Sequence, residues 1–263
     1  MNAAYLNGQP ASADELRALA LCNYGHFTSM QVRGGAVQGL ALHYQRLQTA
    51  TAELFDAPLD LAQLVGWLRL AVNAHPDCSL RVSVFARGFQ HRHPERWVAP
   101  DVLVSTGPAS LSDPSPLRVK SYPFQRPVPH LKHLGTFPLF HYRRLARRAG
   151  YDDALFVGPA GEVSEGTVWN IGFWAEDRVI WPNAPALAGT AVGLLVQGLD
   201  VLGVAHASAA LCLEGLGEVE GAFACNASGL WPVASIDDRA LPASVGAMPI
   251  LLQALQVVAW QPA

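Results

Sequence analysis

The chain has only two lysines, Lys120 and Lys132, whereas the other 16 of its 18 basic residues are arginines. A protein that uses arginine wherever a cation suffices keeps lysine mainly where an amine is needed, because only an amine can form an imine. Either lysine could instead be an ordinary surface cation. The composition therefore indicates two candidate amines for covalent chemistry and does not choose between them.

The residues around Lys132 distinguish it from Lys120. From Pro129 the chain reads PHLKHLGTFPLFHYRRLARRAGYDDALFVGPAGEVSEGTVWNIGFW. A lysine precedes a predicted helix, GYDDALF leads into a strand, and a turn ends at Glu165 with an asparagine soon after. This order, over residues 131–173, resembles the fold-type IV (class IV) aminotransferase family, which includes D-amino-acid and branched-chain aminotransferases and aminodeoxychorismate lyase.

Weaker parts of the same pattern lie on both sides. Upstream, YGHFTSMQVRGGAVQGLALHYQRL is similar to the family's hairpin and the helix after it, which bears a His-x-x-Arg-Leu motif. Downstream, LAGTAVGLL is similar to its Leu-x-Gly-Ile-Thr helix start, and CNASGLWPVASID to its small-residue turn before a Pro-Val strand. The resemblance implies an α/β (α+β) fold of two lobes, with a small α/β N-terminal domain and a larger barrel-like C-terminal domain.

The resemblance also implies pyridoxal 5′-phosphate as the cofactor, which needs an amine, an anion site and a partner for its ring nitrogen. Lys132 would hold it as a Schiff base and then move a proton between the substrate Cα and the cofactor C4′. A free amine with a pKa of about 10.4 is a poor base at neutrality, so burial beside cations must favour its neutral form. Glu165 takes the position that faces the pyridine nitrogen, whereas Glu162 is expected to be an ordinary turn residue.

Three groups are implied as donors to the phosphate. Arg46 would offer a charged fork from the helix after the hairpin. Thr190 and Ala191 would offer backbone N–H groups and the positive end of a helix dipole, although a common threonine is replaced at Ala191. Asn226 could add a side-chain donor. Each signal has a plain alternative, because helical arginines are usually solvated and Gly-Thr at a helix start is usually only a cap.

The substrate side is implied by Phe27, Arg92 and Ala227. Phe27 stands where many members have tyrosine and Thr28 where they often have glutamate, so the substrate side would lack these polar groups. Trp169 stands where a small serine is frequent. The segment ARGFQHRHPERW resembles the loop that holds the substrate carboxylate in D-amino-acid aminotransferases, with Arg92 near the anchoring position. A solvated basic loop is the alternative, and its His-x-His pair lacks a third ligand at a metal-binding interval. No metal site is expected.

These residues together predict a transaminase that moves an amino group between an amino acid and a 2-oxo acid. An aminodeoxychorismate lyase of the same family is the first alternative, since it would use the same cofactor and lysine. A non-catalytic cofactor-binding or regulatory protein is the alternative from another class. The donor, the acceptor and the stereochemistry do not follow from the sequence.

Hydrophobic periodicity and turn residues predict the elements that position these groups. The predicted helices span 42–55, 60–74, 136–149, 189–202 and 242–258. The predicted strands are the hairpin 27–32/36–40, then 80–84, 117–124, 154–157, the hairpin 169–174/178–181, 222–225 and 232–236. A turn is predicted at 161–165.

One stretch has the composition of a linker, GPASLSDPSP, which is rich in proline and serine. We therefore expect an N-terminal α/β domain at residues 1–107 and a linker at 108–116. The C-terminal pseudo-barrel domain is expected at 117–263 and would carry the cofactor lysine.

The overall composition excludes several classes of protein. With 51% hydrophobic residues, a net charge of -3 and a pI near 6.3, the chain is globular and has no broad field for nucleic acid or anionic lipid. No signal peptide or membrane-length apolar run is apparent, and the four scattered cysteines are expected to be buried thiols. A cytoplasmic enzyme follows as the expectation. The charged fraction of only 15% and the resemblance favour a homodimer with small-molecule substrates.

Overall fold

A computed structural model describes residues 3–110, 115–242 and 247–263. Within it the chain forms two compact units. The first unit contains Met1–Leu111, Leu131–Gly135 and Trp260–Ala263, and the second contains Ser112–His130 and Thr136–Ala259. The predicted linker at 108–116 lies partly outside the described residues, because 111–114 are not among them.

The helices of the described chain are α1 (Ala13–Leu21), α2 (Leu40–Phe55), α3 (Leu61–Ala74), α4 (Phe137–Arg148), α5 (Thr190–Leu202) and α6 (Ala247–Val257), with a 3-10 helix at Leu213–Glu218. The strands are β1 (Ala4–Leu6), β2 (Gln9–Pro10), β3 (Gly25–Val32), β4 (Ala36–Gln38), β5 (Cys78–Phe85), β6 (Asp101–Gly107), β7 (Leu117–Pro123), β8 (Asp153–Val157), β9 (Val163–Gly166), β10 (Asn170–Ala175), β11 (Arg178–Pro182), β12 (His206–Ala209), β13 (Gly221–Asn226), β14 (Gly229–Ile236), β15 (Arg239–Ala240) and β16 (Trp260–Pro262).

The first unit is built on an antiparallel sheet in the order β2-β1-β6-β5-β3. Alternate side chains of β3 and β5 point to opposite faces of this sheet, and one face joins the core that includes Met30 and Val82. The same core receives Leu47 from α2 and Leu68 from α3, both fully buried. The sheet and helix α2 thus form the rigid frame for residues on β3.

The segment Leu131–Gly135 lies against the edge strand β3 of the first unit. The N–H of Phe27 donates to the Lys132 carbonyl at 2.9 Å, and the N–H of Leu134 donates to the Gly25 carbonyl at 2.9 Å. These two backbone bonds are the reason that the lysine segment is part of the first unit, whereas the prediction gave it to a domain at 117–263. Pairing over about a hundred residues leaves no local mark in the sequence.

The second unit contains a closed ring of strands in the order β10-β13-β14-β7-β8-β9, extended from β10 by β11 and β12. One residue pair, Asn170 opposite Glu165, joins β9 back to β10 and closes the ring. The sheet buries Ile171 and Phe173, among others, in its core. The expected combination of a small α/β unit and a larger barrel-like sheet is confirmed.

Helices cover the sheet of the second unit. Helices α5 and α6 cross so closely that a Cβ at Gly198 would overlap the backbone of Ala254. Both helices bury leucines in one cluster with residues of β11 and β13. Helix α4 packs on β8 through Leu139 and Phe156. No helix in the described part of the chain is long and apolar enough to cross a membrane.

Most predicted elements are confirmed, among them the helices now seen as α2 to α5 and the hairpin of β10 and β11. The predicted turn at 161–165 is wrong at its end, because Glu165 lies inside strand β9. The predicted hairpin at 27–40 is reduced to an isolated bridge between Arg33 and Ala36, since β4 pairs with β16 instead. The predicted helix 242–258 is seen as α6, and its residues 243–246 lie outside the described residues.

The four cysteines are free, as expected, but they are not all buried. Cys78 and Cys225 are buried, Cys22 is half-buried and Cys212 is exposed. Burial raises the pKa of the Cys225 thiol to about 12, so this group stays protonated at neutral pH. The expectation of buried thiols is therefore wrong for Cys212, which lies at the surface beside the 3-10 helix.

Candidate active site

Lys132 is half-buried at the edge of β3. Its backbone is held by the bond to Phe27, and its Nζ lies 5.0 Å from the centroid of the Phe27 ring. This is within the range of a cation–π contact. The first unit therefore brings together the predicted catalytic amine and one predicted substrate residue. Lys120, the other lysine, lies on β7 of the second unit and is 3.8 Å from the carboxylate of Asp237.

The His-x-x-Arg motif places two side chains of α2 on the neighbouring strand. The Nδ1 of His43 lies 2.6 Å from the hydroxyl of Thr28, and Arg46 Nη1 donates to the same hydroxyl oxygen at 3.5 Å. Burial, then the positive charges of Arg46 and Lys132, lower the pKa of His43 to about 3. His43 is therefore neutral. Because the guanidinium can only donate, the Thr28 proton is available for His43 Nδ1.

Thr28 was expected on the substrate side together with Phe27. The structure instead buries Thr28 completely against His43, on the opposite face of β3 from Phe27. A second buried histidine lies on the same face, where His26 Nε2 is 3.0 Å from the hydroxyl of Thr51. Burial lowers the pKa of His26 to about 4. Two neutral histidines therefore lie between this sheet face and α2, His26 from β3 and His43 from α2, and the Arg46 charge acts on His43.

A further arginine lies over the other face of β3. The guanidinium carbon of Arg81 is 3.6 Å from the centroid of the Phe27 ring. Arg81 is half-buried on β5, where its Nε donates to the Ser83 hydroxyl at 3.2 Å, and burial lowers the pKa of its guanidinium. Arg81 carries no motif or spacing in the sequence that indicates a role. Alternation along β5 could have placed it on one face with Ser83, but nothing local indicated that Ser83 would pair with Phe27.

Glu165 is buried in the second unit, with 2% of its surface exposed. Its Oε2 accepts a bond from Arg126 Nη2 at 2.8 Å and one from the Leu187 N–H at 3.3 Å. The Arg126 side chain is also buried, so the two charges form an ion pair out of water. Arg126 was not selected from the sequence, because a single arginine in a loop carries no periodic or motif signal. Glu162 lies in the preceding turn as expected, where it accepts from the Ala160 N–H.

The loop after Glu165 is held by one buried carboxylate, that of Asp153. It accepts from the Thr167 hydroxyl at 2.8 Å, from Trp169 Nε1 at 3.0 Å and from Arg143 Nη2 at 2.7 Å. The Trp169 indole also fills the space beside Gly166, where a Cβ would overlap its ring. The tryptophan that replaces a small serine is therefore part of the turn's own packing.

Helix α5 begins at Thr190, with Gly189 as its N-terminal cap residue. Thr190 and Ala191 are buried, and Ala191 packs in the core between the sheet and α5. The first N–H groups of a helix have no acceptor within it, so the start of α5 is suited to an anion. The structure thus gives the predicted phosphate donors a helical setting, with one hydroxyl at Thr190.

Asn226 and Ala227 form the turn between β13 and β14. Asn226 Nδ2 donates to the Val168 carbonyl at 3.2 Å, and its Oδ1 accepts from the Ser228 N–H at 2.7 Å. The asparagine side chain thus joins its own turn to the loop after Glu165. Ala227 is half-buried in that turn. The Asn226 amide therefore already has two partners within the protein.

The loop with Arg92 is the most exposed of the predicted positions, and residues 91–97 are all exposed in the chain. His93 is 3.5 Å from the carboxylate of Glu95 within the same loop. Across the described residues, no group of three or more histidine, cysteine, aspartate or glutamate side chains could hold a metal ion.

The profile of the family described as amino-transferase class IV matches residues 25–236. The chain belongs to this family. Class IV aminotransferases are pyridoxal-phosphate enzymes, so the expected family, enzyme class and cofactor are confirmed. No curated protein sequence matches the chain.

Solved structures of class IV enzymes share the fold over nearly the whole chain. A 4-amino-4-deoxychorismate lyase from Pseudomonas aeruginosa has 24% identity, with 91% of this chain and 93% of that chain covered and a TM-score of 0.74. A branched-chain aminotransferase from Thermoproteus uzoniensis with norvaline has 20% identity, 97% and 92% coverage and a TM-score of 0.82. A hypothetical aminotransferase from Mycobacterium tuberculosis, in a PLP-bound form, has 21% identity, 98% and 99% coverage and a TM-score of 0.80.

The side chains of this class IV member fit the chemical groups of pyridoxal phosphate. The first unit supplies the half-buried Lys132 amine and the Arg46 cation, and both charges act on His43. The second unit supplies the buried Glu165 carboxylate and the first turn of α5. Pyridoxal phosphate calls for an amine to meet its aldehyde, which the first unit has, and for a carboxylate near its ring nitrogen and donors to its phosphate, which the second unit has. The residues present therefore agree with the family's cofactor.

Proposed function

We propose that the chain is a transaminase in which Lys132 binds the cofactor covalently and transfers the proton during the exchange between an amino acid and a 2-oxo acid. The observation that carries the proposal is the fixed position of Lys132 at the edge of β3, beside Phe27 and near the His43–Arg46 pair. Pyridoxal phosphate, when bound, supplies an electron-withdrawing ring that stabilises negative charge at the substrate Cα.

Lys132 performs two roles in this proposal. Its amine would hold the cofactor covalently, and as a free base it would accept the proton of the substrate Cα and donate it again. Arg46 helps the lysine as a nearby cation, because positive charge favours the neutral form of an amine. His43 adds no positive charge, since it is neutral at physiological pH.

Glu165 supports the reaction from the second unit by holding a proton on the pyridine nitrogen. A carboxylate in that role must be ionised, and the buried guanidinium of Arg126 at 2.8 Å favours the ionised form. Arg46, the N–H groups of Thr190 and Ala191, and Asn226 are proposed to bind the phosphate. The preorganised charges raise the rate because they are in place before charge develops.

The substrate side is proposed to contain Phe27, Ala227 and an arginine that binds the carboxylate. Arg92, in the exposed loop, is one candidate. Arg81 is the other, because its guanidinium already lies on the Phe27 ring while the lysine amine is 5.0 Å from the same ring. A planar guanidinium can bind a carboxylate through two parallel bonds, which would favour donors that carry this group.

A homodimer in the cytoplasm is proposed as the working state. Its support is the low charged fraction of 15% and the fully exposed loop around Arg92, which could complete the site of a second copy. Mixing a Lys132→Ala subunit with an Arg92→Ala subunit should restore activity, because one site of the heterodimer would be intact. A monomer in sedimentation, or heterodimers that stay inactive, would reject the shared site.

The experiment that tests the proposed function is reduction of the protein with borohydride after incubation with pyridoxal phosphate, followed by peptide mapping. We expect the label on Lys132, no label in Lys132→Ala, and an unchanged label in the matched control Lys120→Arg. Label on Lys120, or bound cofactor without a label, would overturn the assignment.

The reaction type needs a second measurement on the same loaded protein. Addition of single amino acids should shift its absorbance and yield the 2-oxo acid of the donor. Release of pyruvate from aminodeoxychorismate would instead favour the lyase alternative. Absence of both reactions in protein that is labelled at Lys132 would favour a non-catalytic cofactor-binding protein.

A further inference from the structure

We propose that Asn170 is a positioning residue that fixes the Glu165 carboxylate relative to the first turn of α5. The inference rests on the proposed function, since Glu165 and the start of α5 are taken as contacts of one cofactor. Glu165 and the first residue of α5 are about 25 positions apart in the sequence, and no local pattern links them. In the structure, the side chain of Asn170 binds Leu187, which also binds the Glu165 carboxylate, and it lies beside Gly189 at the start of α5.

The backbone of Asn170 is paired with Glu165 itself. This pair is the single register position that joins β9 to β10 and closes the ring of strands. The loop between them is closed by a bond from the Gly166 N–H to the Trp169 carbonyl at 2.8 Å. On its other side, Asn170 pairs with Cys225 of β13. The position of Asn170 is therefore set by two neighbouring strands.

The side chains of Asn170 and Glu165 bind the same residue, Leu187, from two directions. Asn170 Nδ2 donates to the Leu187 carbonyl at 2.8 Å, and Glu165 Oε2 accepts from the Leu187 N–H at 3.3 Å. Leu187 is itself buried, and buried backbone groups need partners within the protein. The paired strand residues thus hold the segment that leads into α5.

The third contact is at the start of α5. A Cβ at Gly189, the cap residue of α5, would overlap Asn170 Oδ1. The backbone of Gly189 has φ −65°, which any residue adopts, so glycine is needed there for space and not for conformation. The amide of Asn170 therefore lies against the first residue of the helix start while its other end holds Leu187.

These contacts predict a particular effect on ligand binding. A cofactor that is bound at its ring and at its phosphate gains from both contacts only if their separation matches the molecule, and a supporting residue sets that separation. Loss of Asn170 should therefore weaken the binding of pyridoxal phosphate more than the binding of pyridoxal, which lacks the phosphate. A residue that only stabilises the fold would weaken both ligands by the same factor.

The test uses the full-length chain with Asn170→Ala and, as the matched control, Asn183→Ala at an exposed asparagine of the same connection. Dissociation constants for pyridoxal phosphate and pyridoxal are measured by absorbance titration. We expect the preference for the phosphorylated ligand to fall by at least about tenfold in Asn170→Ala and to stay unchanged in Asn183→Ala. An unchanged preference in Asn170→Ala would overturn the inference.

A double-mutant cycle tests the contact without any ligand. Gly189→Ala should destabilise the apo protein in urea unfolding, and the same change should cost much less in the Asn170→Ala background, because the overlapping oxygen is gone. Additive changes in the free energy of unfolding would show that the two residues do not interact. Hydrogen exchange at the Leu187 amide should be faster in Asn170→Ala than in the control. Equal exchange rates would count against the role of Asn170 in holding Leu187.

The outcomes separate the inference from the proposed function. Wild-type protein that binds neither ligand would reject the proposed function and the positioning role together, although the cycle in urea would still report the contact. Wild-type protein that binds pyridoxal phosphate with an unchanged preference in Asn170→Ala would reject the positioning role alone. Asn170→Ser, which is smaller but still polar, provides a second variant if Asn170→Ala does not fold.

Discussion

The Arg126 guanidinium lies 2.8 Å from the Glu165 carboxylate, and both side chains are buried in the second unit. Two charges out of water stabilise each other but do not necessarily stabilise the fold, because each has lost its hydration. Removal of one partner is different, since it leaves the other charge buried without compensation. The pair therefore links the proposed contact of the pyridine nitrogen to the stability of the barrel.

Arg126→Met should destabilise the apo protein by about 3 to 5 kcal/mol, because the Glu165 carboxylate would lose its buried partner. The double variant Arg126→Met/Glu165→Gln should recover a large part of this loss, since no charge is then left unpaired. Urea unfolding of the wild type, the single variant and the double variant measures the loss and its recovery. A double variant that is less stable than Arg126→Met would contradict the argument.

Glu165→Gln should keep the cofactor bound and lose most of its turnover. A neutral amide can still accept from the Leu187 N–H, but it cannot stabilise the charge of a protonated pyridine nitrogen. Glu162→Gln, in the neighbouring turn, is the matched control and should keep the wild-type kcat. Wild-type kinetics in Glu165→Gln would show that this carboxylate does not act on the ring.

Arg46→Ala should have the opposite profile, with weaker retention of the cofactor. A charge-assisted bond to phosphate contributes about 1.5 to 3 kcal/mol, which corresponds to roughly 10- to 150-fold in affinity. The loss should be larger for pyridoxal phosphate than for pyridoxal. Arg17→Ala on the exposed side of α1 serves as the control for loss of a cation. If both variants retain wild-type affinity, Arg46 is an ordinary helical arginine.

The sequence predicted those parts of the site that are local. Helix α2 could be placed from its apolar spacing, and with it the Arg46 side chain, while the start of α5 followed from a Gly-Thr pair. The residues that were missed act through long-range contacts. Arg126 meets Glu165 across 39 residues, and a loop arginine has no spacing that reveals such a partner.

The same reason explains the errors in the fold. Strand β4 was expected to pair with β3, its neighbour in sequence, but it pairs with Trp260–Pro262 at the other end of the chain. Lys132 was assigned to the C-terminal domain by its position in sequence, whereas two backbone bonds to β3 hold it in the first unit. Pairing energies of this kind depend on the whole fold and are not encoded in a local window.

The free energy of unfolding should decrease as the pH falls below about 6.5, before the carboxylates become protonated. His26 and His43 have pKa values lowered to about 4 and about 3 by burial, against about 6.5 in an unfolded chain. Below pH 6.5 the unfolded state binds protons that the folded state does not, so the stability that is present above pH 6.5 is lost as the pH falls toward those values. At pH 5 each histidine should lower the free energy of unfolding by about 2 kcal/mol.

Urea unfolding at pH 7.5, 6 and 5 measures this slope. His26→Gln keeps a donor for the Thr51 hydroxyl and removes one titrating group, so its stability should fall less steeply between pH 6 and pH 5 than that of the wild type. Curves for variant and wild type should run parallel above pH 7, where both histidines are neutral in both states. An equal slope below pH 6 would show that His26 is protonated in the fold.

Arg81 and Arg92 make different predictions for the substrate carboxylate. Arg81 lies 3.6 Å from the Phe27 ring within the first unit, whereas Arg92 lies in an exposed loop. If Arg81 binds the carboxylate, Arg81→Met should raise the KM for a carboxylate-bearing donor by roughly 10- to 150-fold, the equivalent of one charge-assisted pair. Methionine preserves much of the apolar contact with Phe27, so the change is chiefly one of charge.

The matched comparison is Arg92→Met, measured with the same donor and with an amine that lacks a carboxylate. Loss confined to Arg81→Met and to the carboxylate donor would assign the carboxylate to Arg81. Loss confined to Arg92→Met would assign it to the loop and would favour a shared site in a dimer. An equal loss with both donors in Arg81→Met would mean that this arginine supports Phe27 and Lys132 without binding substrate, because the missing charge would not distinguish the two amines.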